Sequence, residues 1–351
     1  MYDILNDINH WIEEGKTFAL ATVIQTWRSS PRGVGSAMVI REDMQIAGSV
    51  SSGCVENAVI EAALDTIKSG KSKILEFGVS DDKAWSVGLS CGGTIKVFVE
   101  KHPAFSKNTE EQKIWNGLTN AIEDNKPCIL LKNLSVSENQ LNRHLLVYPN
   151  GNHQGNWGKL TIQAKEIALK LYHERKNATV QISDQEIFVQ VFPLKPKLII
   201  MGGSHISIPL VKFSHELGFE TIIVDPRKIF ASSERFPVQP TKIIPEWPQN
   251  ALPDMDLNED VYAVLLTHDP KIDDEALKIL LSSNVAYIGA LGSKKTHAKR
   301  CARLKEAGFN DEQIACIHGP IGLDINASSP AEIALSIMGQ ITETKNAKPK
   351  K

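Results

Sequence analysis

Two cysteines lie in loops rich in small residues, where a thiol can take part in chemistry. Cys54 follows Ser51-Ser52-Gly53, and Glu56 begins the helical pattern after it. The positive end of a helix dipole stabilises a thiolate, which binds soft metals or exchanges sulfur, and the N–H groups there also suit a phosphate. Cys91 precedes Gly92-Gly93, a pair that lets the backbone approach a ligand closely. We predict that Cys54, Glu56 and Cys91 contact a cofactor, with Cys54 as the metal or sulfur contact; the alternatives are buried thiols and a helix cap.

The other three cysteines are expected in the core. Cys128 starts a predicted strand, and Cys301 and Cys316 lie in helical or strand settings. The count of five is odd, and no pair has the C-x-x-C spacing of a zinc ribbon. The cysteines therefore argue against a disulfide scaffold, and any working thiol acts alone or with distant partners.

A glycine-rich turn later in the chain has the layout of a dinucleotide-binding unit. Residues 202–207, Gly-Gly-Ser-His-Ile-Ser, follow an apolar strand and open a helix, and Asp225 ends the next strand. Serine stands at the second and third glycine positions of that pattern, and the side chain of Ser204 intrudes where a pyrophosphate approaches the backbone. The pattern predicts a Rossmann-like fold, while the serines argue against NAD(P) in its usual pose. The candidate ligand contacts here are Gly202, Gly203, His205 and Asp225.

Further polar loops follow later strands of the same predicted sheet. His268 follows the apolar run 261–266, and Gly292-Ser293-Lys294 follows another strand and opens a helix. Ligands bind beyond the carboxyl ends of the strands in an open α/β sheet, and a helix start with a lysine favours phosphate. We therefore predict an anion-binding crevice lined by His268, Gly292, Ser293 and Lys294, with Arg227 as a further phosphate partner. The alternatives are solvated turns and, for Arg227, an ordinary surface ion pair.

Two sets of secondary-structure elements are needed to position these residues. The first begins with an amphipathic helix that ends near Gly15, followed by strands, helices and a hairpin. Two prolines within residues 193–197 indicate a linker. Beyond it, strands alternate with helices, which predicts a parallel sheet with helices on both faces. No internal repeat is apparent in the sequence.

The predicted fold class is α/β. We expect a mixed α/β domain over residues 1–192, which carries the Cys54 and Cys91 turns. A Rossmann-like, doubly wound parallel-sheet domain is expected over 197–342, followed by a disordered tail at 343–351.

Composition excludes several classes of protein. The 351 residues include 39 Lys+Arg and 41 Asp+Glu, a formal net charge of −2, which argues against nucleic-acid binding through global charge. No apolar run approaches the roughly 20 residues that span a bilayer, so no membrane contact is expected. The N-terminus lacks the basic start and apolar run of a signal peptide, and a cytoplasmic protein is the expectation.

Several motifs together resemble one family. They are GSVSSGCVE around Cys54, SCGG around Cys91, VDPRKIFASSERFP, YIGALGSKKT and HGPIGLDINASSPAEIA. With both domains in the same order, nearly the whole chain resembles the xanthine dehydrogenase accessory proteins of the XdhC/CoxI family. Ser52, Ser204 and Ser207 depart from the pattern, since glycine is the usual residue at the first position and belongs to the dinucleotide fingerprint at the other two.

The resemblance implies an accessory chaperone rather than an enzyme in its own right. Such a protein binds the molybdenum cofactor, assists its sulfuration and inserts it into xanthine dehydrogenase or a related molybdenum hydroxylase of purine catabolism. A thiolate suits the soft metal, and an anion-binding crevice suits the phosphate of the pterin. A cysteine desulfurase and a second copy of the chain are further candidate partners.

Two other functions stay open at this point. An NAD(P)-dependent oxidoreductase would use the Rossmann-like crevice as its active site and would transfer hydride to or from a substrate. A structural subunit of a xanthine dehydrogenase complex would copurify with the enzyme and have no cofactor affinity of its own.

Overall fold

The chain forms two compact units, Met1–Leu194 and Lys195–Lys351. The computed structural model describes residues 1–28, 30, 32–51, 53, 55–78, 93–135 and 142–347. Cys54, Cys91 and Ser52 lie outside the described residues.

The N-terminal unit is a mixed α/β structure. Its described helices are α1 (Leu5–Glu13), α2 (Glu56–Ser69), α3 (Thr109–Glu123) and α4 (Leu160–His173). Its first sheet contains β1 (Phe18–Trp27), β2 (Ala37–Arg41), β3 (Ile46–Gly48), β4 (Lys73–Phe77) and β5 (Thr94–Lys101). Its second sheet contains β6 (Cys128–Asn133), β7 (His144–Val147), β8 (His153–Gln154), β9 (Ala178–Ile182) and β10 (Gln185–Phe192).

The two sheets have the same topology. Their strand orders are β3-β2-β1-β5-β4 and β8-β7-β6-β10-β9, and every pairing is antiparallel. In each half a helix precedes three strands, and a second helix precedes a hairpin. The N-terminal unit is therefore a tandem duplication of one fold, which we call the first half and the second half.

Matched glycines confirm the duplication in detail. Gly48 ends β3 and Gly155 directly follows the equivalent strand β8, with φ of 78° and 91°. A Cβ added at Gly48 would lie 2.4 Å from the carbonyl oxygen of Ala37, and one added at Gly155 would lie 2.8 Å from that of His144. The expectation of no internal repeat is therefore wrong for the structure. The repeat is hidden because matched positions carry unlike residues, such as Ala37 and His144.

Charged side chains are buried where the two halves meet. Lys132 on β6 places its ammonium 2.8 Å from Glu100 on β5 and 3.1 Å from the hydroxyl of Thr22 on β1. His144 on β7 binds Glu100 through Nε2 and Glu111 on α3 through Nδ1. Because each buried charge has an opposite partner, the junction between the halves is a polar network set among apolar side chains.

The C-terminal unit is a parallel α/β structure. Its strands are β11 (Lys197–Met201), β12 (Glu220–Val224), β13 (Lys242–Ile244), β14 (Val261–Leu265), β15 (Tyr287–Ala290) and β16 (Ile317–His318). Its helices are α5 (Ser207–Glu216), α6 (Pro248–Ala251), α7 (Pro270–Leu280), α8 (Lys294–Glu306), α9 (Asp311–Ala315) and α10 (Pro330–Asn346).

The sheet of this unit has the order β13-β12-β11-β14-β15-β16, and all of its pairings are parallel. This is the Rossmann order, in which the chain reverses direction across the sheet between β11 and β14. Apolar cores lie on both faces, one including Leu277 and Leu304 and the other including Leu210 and Ile337. The predicted α/β class and the Rossmann-like unit are confirmed.

Helix α10 covers the first residues of the segment expected to be disordered. It continues to Asn346, and its first turn is fixed by a capping box between Ser329 and Glu332. Within the described residues, no helix is long and apolar enough to cross a membrane.

Candidate functional site

Three loops of the first half leave its sheet at one edge. Trp27 at the end of β1 pairs with Thr94 at the start of β5. The strands β4 and β3 run antiparallel to their neighbours and end at Phe77 and Gly48 on that same edge. The loops that follow these strands in the sequence contain Cys54 and Cys91, both outside the described residues. The strand ends that precede the two predicted thiol loops therefore lie at one edge of one sheet.

The carboxylate of Glu56 is bonded to the loop that precedes helix α2. One oxygen accepts from the hydroxyl of Ser49 at 2.8 Å and from the N–H of Ser51 at 2.9 Å. The other accepts from the hydroxyl of Ser51 at 2.7 Å and from the N–H groups of Gly53 at 2.8 Å and Val55 at 3.2 Å. Three N–H groups expected to suit a phosphate are thus already bonded to a carboxylate of the protein.

These contacts keep Glu56 ionised. Burial favours the neutral acid, but the hydroxyls of Ser51 and Ser49 and the N–H of Ser51 outweigh it and lower the pKa of Glu56 to about 2. A fixed negative charge therefore lies at the start of α2 at neutral pH.

Arg32 links a second loop to this one. Its Nε donates to the carbonyl of Ser49 at 3.2 Å, and its Nη2 donates to Asp3 at 2.8 Å. Sequence reasoning assigned no chemistry to Arg32; the available signal was an arginine within a loop of serine, proline and glycine.

The second half of the unit carries an equivalent loop with different residues. Gly70 and Arg175, the residues with positive φ (72° and 50°) that follow α2 and α4, match each other, and an equal count back along the chain matches Glu56, the first residue of α2, with Thr161, the second of α4. The hydroxyl of Thr161 accepts the N–H of Trp157 at 2.8 Å, while the indole of Trp157 is buried and donates to the carbonyl of Asn142 at 2.7 Å. The second loop therefore carries a buried aromatic side chain.

In the C-terminal unit, Asp225 and Arg227 form a closed pair. The buried Asp225 accepts Nε and Nη2 of Arg227, both at 2.8 Å, as well as the N–H of Gly203 at 3.0 Å. In a dinucleotide-binding unit this carboxylate accepts from a ribose hydroxyl. Here a guanidinium occupies it, and the ring of Phe230 lies 4.3 Å from the guanidinium carbon of Arg227.

The glycine-rich turn is tightly packed. The hydroxyl of Ser207 donates to the carbonyl of Gly202 at 2.5 Å. Ser207 stands at the position of the third glycine of the dinucleotide fingerprint, where glycine allows the helix to pack closely on the strand. A Cβ added at Gly203 would lie 1.9 Å from the carbonyl oxygen of Phe230, so only glycine fits there. Gly202 lies against Thr267 of the loop after β14, which brings the two predicted loops together.

The remaining predicted contacts lie near the carboxyl edge of the same sheet. His205 is exposed in the turn before α5, and His268 is exposed after β14 with φ of 61°. Ser293 caps α8 by accepting the N–H of Thr296 at 3.1 Å, Gly292 has φ of 138°, and Lys294 is exposed.

A buried arginine lies beneath this last turn. Arg300 donates from Nη2 to the carbonyl of Leu291 at 2.9 Å and lies 3.9 Å from Asp273. Its Nε and Nη1 have no hydrogen-bond partner among the described residues. Sequence reasoning did not single out Arg300, since an arginine in a basic helix gives no sign of burial.

The predictions for the other cysteines are mixed. Cys128 is buried, as expected, and burial raises the pKa of its thiol to about 12. Cys301 is half-buried beside His297. Cys316 is exposed, so the assignment of Cys316 to the core is wrong. Cys316 lies at the end of α9, which does not cover its side chain.

Comparison with known proteins decides the family. Residues 11–78 match the XdhC and CoxI family, and residues 198–341 match the XdhC Rossmann domain. The chain belongs to the XdhC/CoxI family. The first match includes the Glu56 loop, and the second includes every candidate residue of the C-terminal unit.

Relatives of this XdhC/CoxI protein match it over almost its whole length. A protein of Bacillus subtilis (strain 168) described as a probable xanthine dehydrogenase subunit is 27% identical over 338 residues, 95% of each chain. The molybdenum cofactor insertion chaperone PaoD of Escherichia coli (strain K12) is 23% identical over 332 residues, 94% of this chain and 84% of PaoD. A crystal structure described as a xanthine dehydrogenase from Bacillus halodurans has a TM-score of 0.77 at 24% identity, covering 99% of this chain and 96% of that one, and supports the fold.

Proposed function

We propose that this protein binds the molybdenum cofactor, assists its sulfuration and inserts it into xanthine dehydrogenase or a related molybdenum hydroxylase. Family membership and the named function of PaoD support the general role. The observation that carries the proposal is the Glu56 loop: in the half whose sequence contains Cys54, a carboxylate accepts the N–H groups of Ser51 and Gly53, whereas the loop before α4 carries the buried Trp157. The cofactor is cargo here and is passed on.

The thiols supply the contact with the metal end of the cargo. Cys54 is the candidate ligand of molybdenum or of its exchangeable sulfur, because soft thiolates suit that metal. Cys91 lies in the sequence between β4 and β5 and is a second candidate. The proposed role of Glu56 is to hold the backbone of its loop through hydrogen bonds to its carboxylate. A cysteine desulfurase is the proposed source of sulfur, and homodimerisation stays a prediction.

A phosphate-bearing group is the proposed ligand of the C-terminal unit, considered by itself. The exposed turn of Gly292, Ser293 and Lys294 begins a helix of 13 residues, and the buried Arg300 adds a cation beneath it. These groups favour a phosphate or a nucleotide-modified form of the pterin. His205, His268 and the Gly202-Gly203 turn stay candidate contacts at the same sheet edge.

The oxidoreductase alternative has less support. The pair of Asp225 and Arg227 occupies the carboxylate that NAD would use for its ribose. Incubation with NADH or NADPH and with xanthine, hypoxanthine or small aldehydes should give no multiple-turnover change at the nicotinamide band. Robust turnover by the molybdenum-free chain would favour the oxidoreductase.

Anaerobic titration with molybdenum cofactor tests the binding function. Purified protein should bind the cofactor saturably, as followed by its absorbance. A protein that copurifies with xanthine dehydrogenase but has no measurable affinity for the cofactor would be a structural component of the enzyme instead.

A further inference from the structure

We propose that Glu56 is a positioning residue, which fixes the backbone of the Cys54 loop without touching the ligand, and that its carboxylate excludes phosphate from the start of α2. The proposal deepens the proposed function and rests on it, because it concerns the same loop. It also departs from the expectation that Glu56 is a cofactor contact.

Hydrogen bonds of Glu56 run back into its own loop. Among the described residues, they join its two carboxylate oxygens to the backbone N–H groups of Ser51, Gly53 and Val55 and to the hydroxyls of Ser49 and Ser51. Gly53 holds φ of 111°, a conformation that favours glycine. A charged acceptor at the centre of such a turn stabilises one backbone path, because each N–H points at the same group.

The duplicated half supplies an internal comparison. Eight positions separate Gly48 from Glu56, whereas six separate the matched Gly155 from Thr161. In the shorter second loop, the hydroxyl of Thr161 accepts the N–H of Trp157, the amide oxygen of Asn156 accepts that of Gly158, and Trp157 is buried. The longer first loop has a carboxylate in place of that hydroxyl. The half whose sequence contains Cys54 thus has both the longer loop and the side chain that accepts more hydrogen bonds.

The same geometry limits what the loop can bind. N–H groups at a helix start are a common phosphate site, but three of them here already face a negative charge. A second anion at this position would meet like-charge repulsion. The start of α2 is therefore disfavoured as the binding site of a phosphate.

Amide hydrogen exchange of the full chain tests the positioning role. In Glu56→Ala, amides of residues 51, 53 and 55 should exchange about tenfold to a hundredfold faster, since hydrogen bonds to a charged group are lost. Glu56→Gln keeps one acceptor oxygen and should give an intermediate increase, which covers the case in which the alanine variant does not fold. Unchanged exchange in a folded variant would overturn the proposal.

Cofactor affinity of the same variants separates positioning from direct contact. Glu56→Gln and Glu56→Ala should weaken binding in the order of their exchange rates. The matched control is Thr161→Ala, which should loosen the second loop and leave cofactor affinity unchanged. Weaker cofactor binding with unchanged loop exchange would show that Glu56 touches the ligand and would overturn the positioning role.

Inorganic phosphate tests the exclusion directly. Adding it to the wild-type protein should leave exchange at residues 51, 53 and 55 unchanged, and slower exchange would contradict the proposal. Neither exchange measurement requires the molybdenum cofactor. Failure of the wild-type protein to bind the cofactor would therefore count against the proposed function alone.

Discussion

The ammonium of Lys132 lies 2.8 Å from the carboxylate of Glu100, and this fully buried pair joins the two halves of the duplicated N-terminal unit. The register of the strands places Thr22 and Gln190 at the matched positions, so the charge pair exists on one side only. The duplication has thus diverged both at its junction and in its loops. Each divergence leads to a measurable expectation.

Loss of the Lys132 ammonium should destabilise the protein strongly. Lys132→Met leaves the Glu100 carboxylate buried without its lysine, and breaking a buried pair in this way costs about 3–5 kcal/mol. Urea denaturation of the full chain measures the change. Lys113→Met, which removes an exposed pair with Glu110, is the control and should cost less than about 1 kcal/mol. Equal effects of the two substitutions would contradict a structural role for the buried pair.

His144 should make stability fall at alkaline pH. Burial opposes its protonation, but the carboxylates of Glu100 and Glu111 outweigh burial and raise the pKa of His144 to about 9, from 6.5. Because the folded-state value is the higher one, the stabilisation is complete below pH 6.5 and is lost as the pH rises through 9. The stability difference between wild type and His144→Gln should therefore shrink across this window. A constant difference from about pH 6 to about pH 10 would contradict a charged His144.

The Cys54 thiol should be required for binding of the molybdenum cofactor. Cys54→Ser keeps the size of the side chain but removes the soft ligand, and the dissociation constant measured anaerobically should rise about tenfold or more. Cys316→Ser removes an exposed thiol of the other unit and is the control. Equal affinities of wild type and Cys54→Ser would exclude the ligand role.

The two lysines at the start of α8 should contribute to phosphate binding. Replacing Lys294 and Lys295 with alanine should weaken binding of the phosphorylated pterin about fivefold at low salt, through lost charge at a helix start. The loss should shrink at high salt because exposed charges are screened. The control is alanine at Lys212 and Lys242, which removes the same charge from elsewhere in the unit. An identical small loss in both double variants would argue against a specific phosphate site.

Much of the fold is readable from the sequence because local patterns determine it. The apolar strands before Gly202 and before Asp225, with helices between them, correctly predicted the Rossmann-like unit. The duplication was missed because it is preserved in backbone geometry, as at Gly48 and Gly155, and not in side-chain identity. Periodicity reports which face is buried and cannot show that two segments share a topology.

The sequence predicted the positions of the site residues better than it predicted their hydrogen-bond partners and burial. The sequence correctly suggested that Asp225 lies at the end of a strand near the glycine-rich turn, but the ion pair considered for Arg227 is not a surface pair, since its partner Asp225 is buried. The partners of Glu56 depend on the path of a loop bent back on itself, which residue types do not determine. Arg300 was missed because its burial follows from long-range packing of α8 and not from its neighbours in the chain.

Transfer of the cofactor to an apo molybdenum hydroxylase is the most direct test of the proposed role. Wild-type protein loaded anaerobically with sulfurated molybdenum cofactor would be mixed with apo xanthine dehydrogenase, and hydroxylation of xanthine followed with time. We expect activity that appears only with the loaded protein, exceeds that from free cofactor at the same concentration, and is lost with Cys54→Ser. Activation equal to that from free cofactor, with or without the protein, would contradict the proposed role.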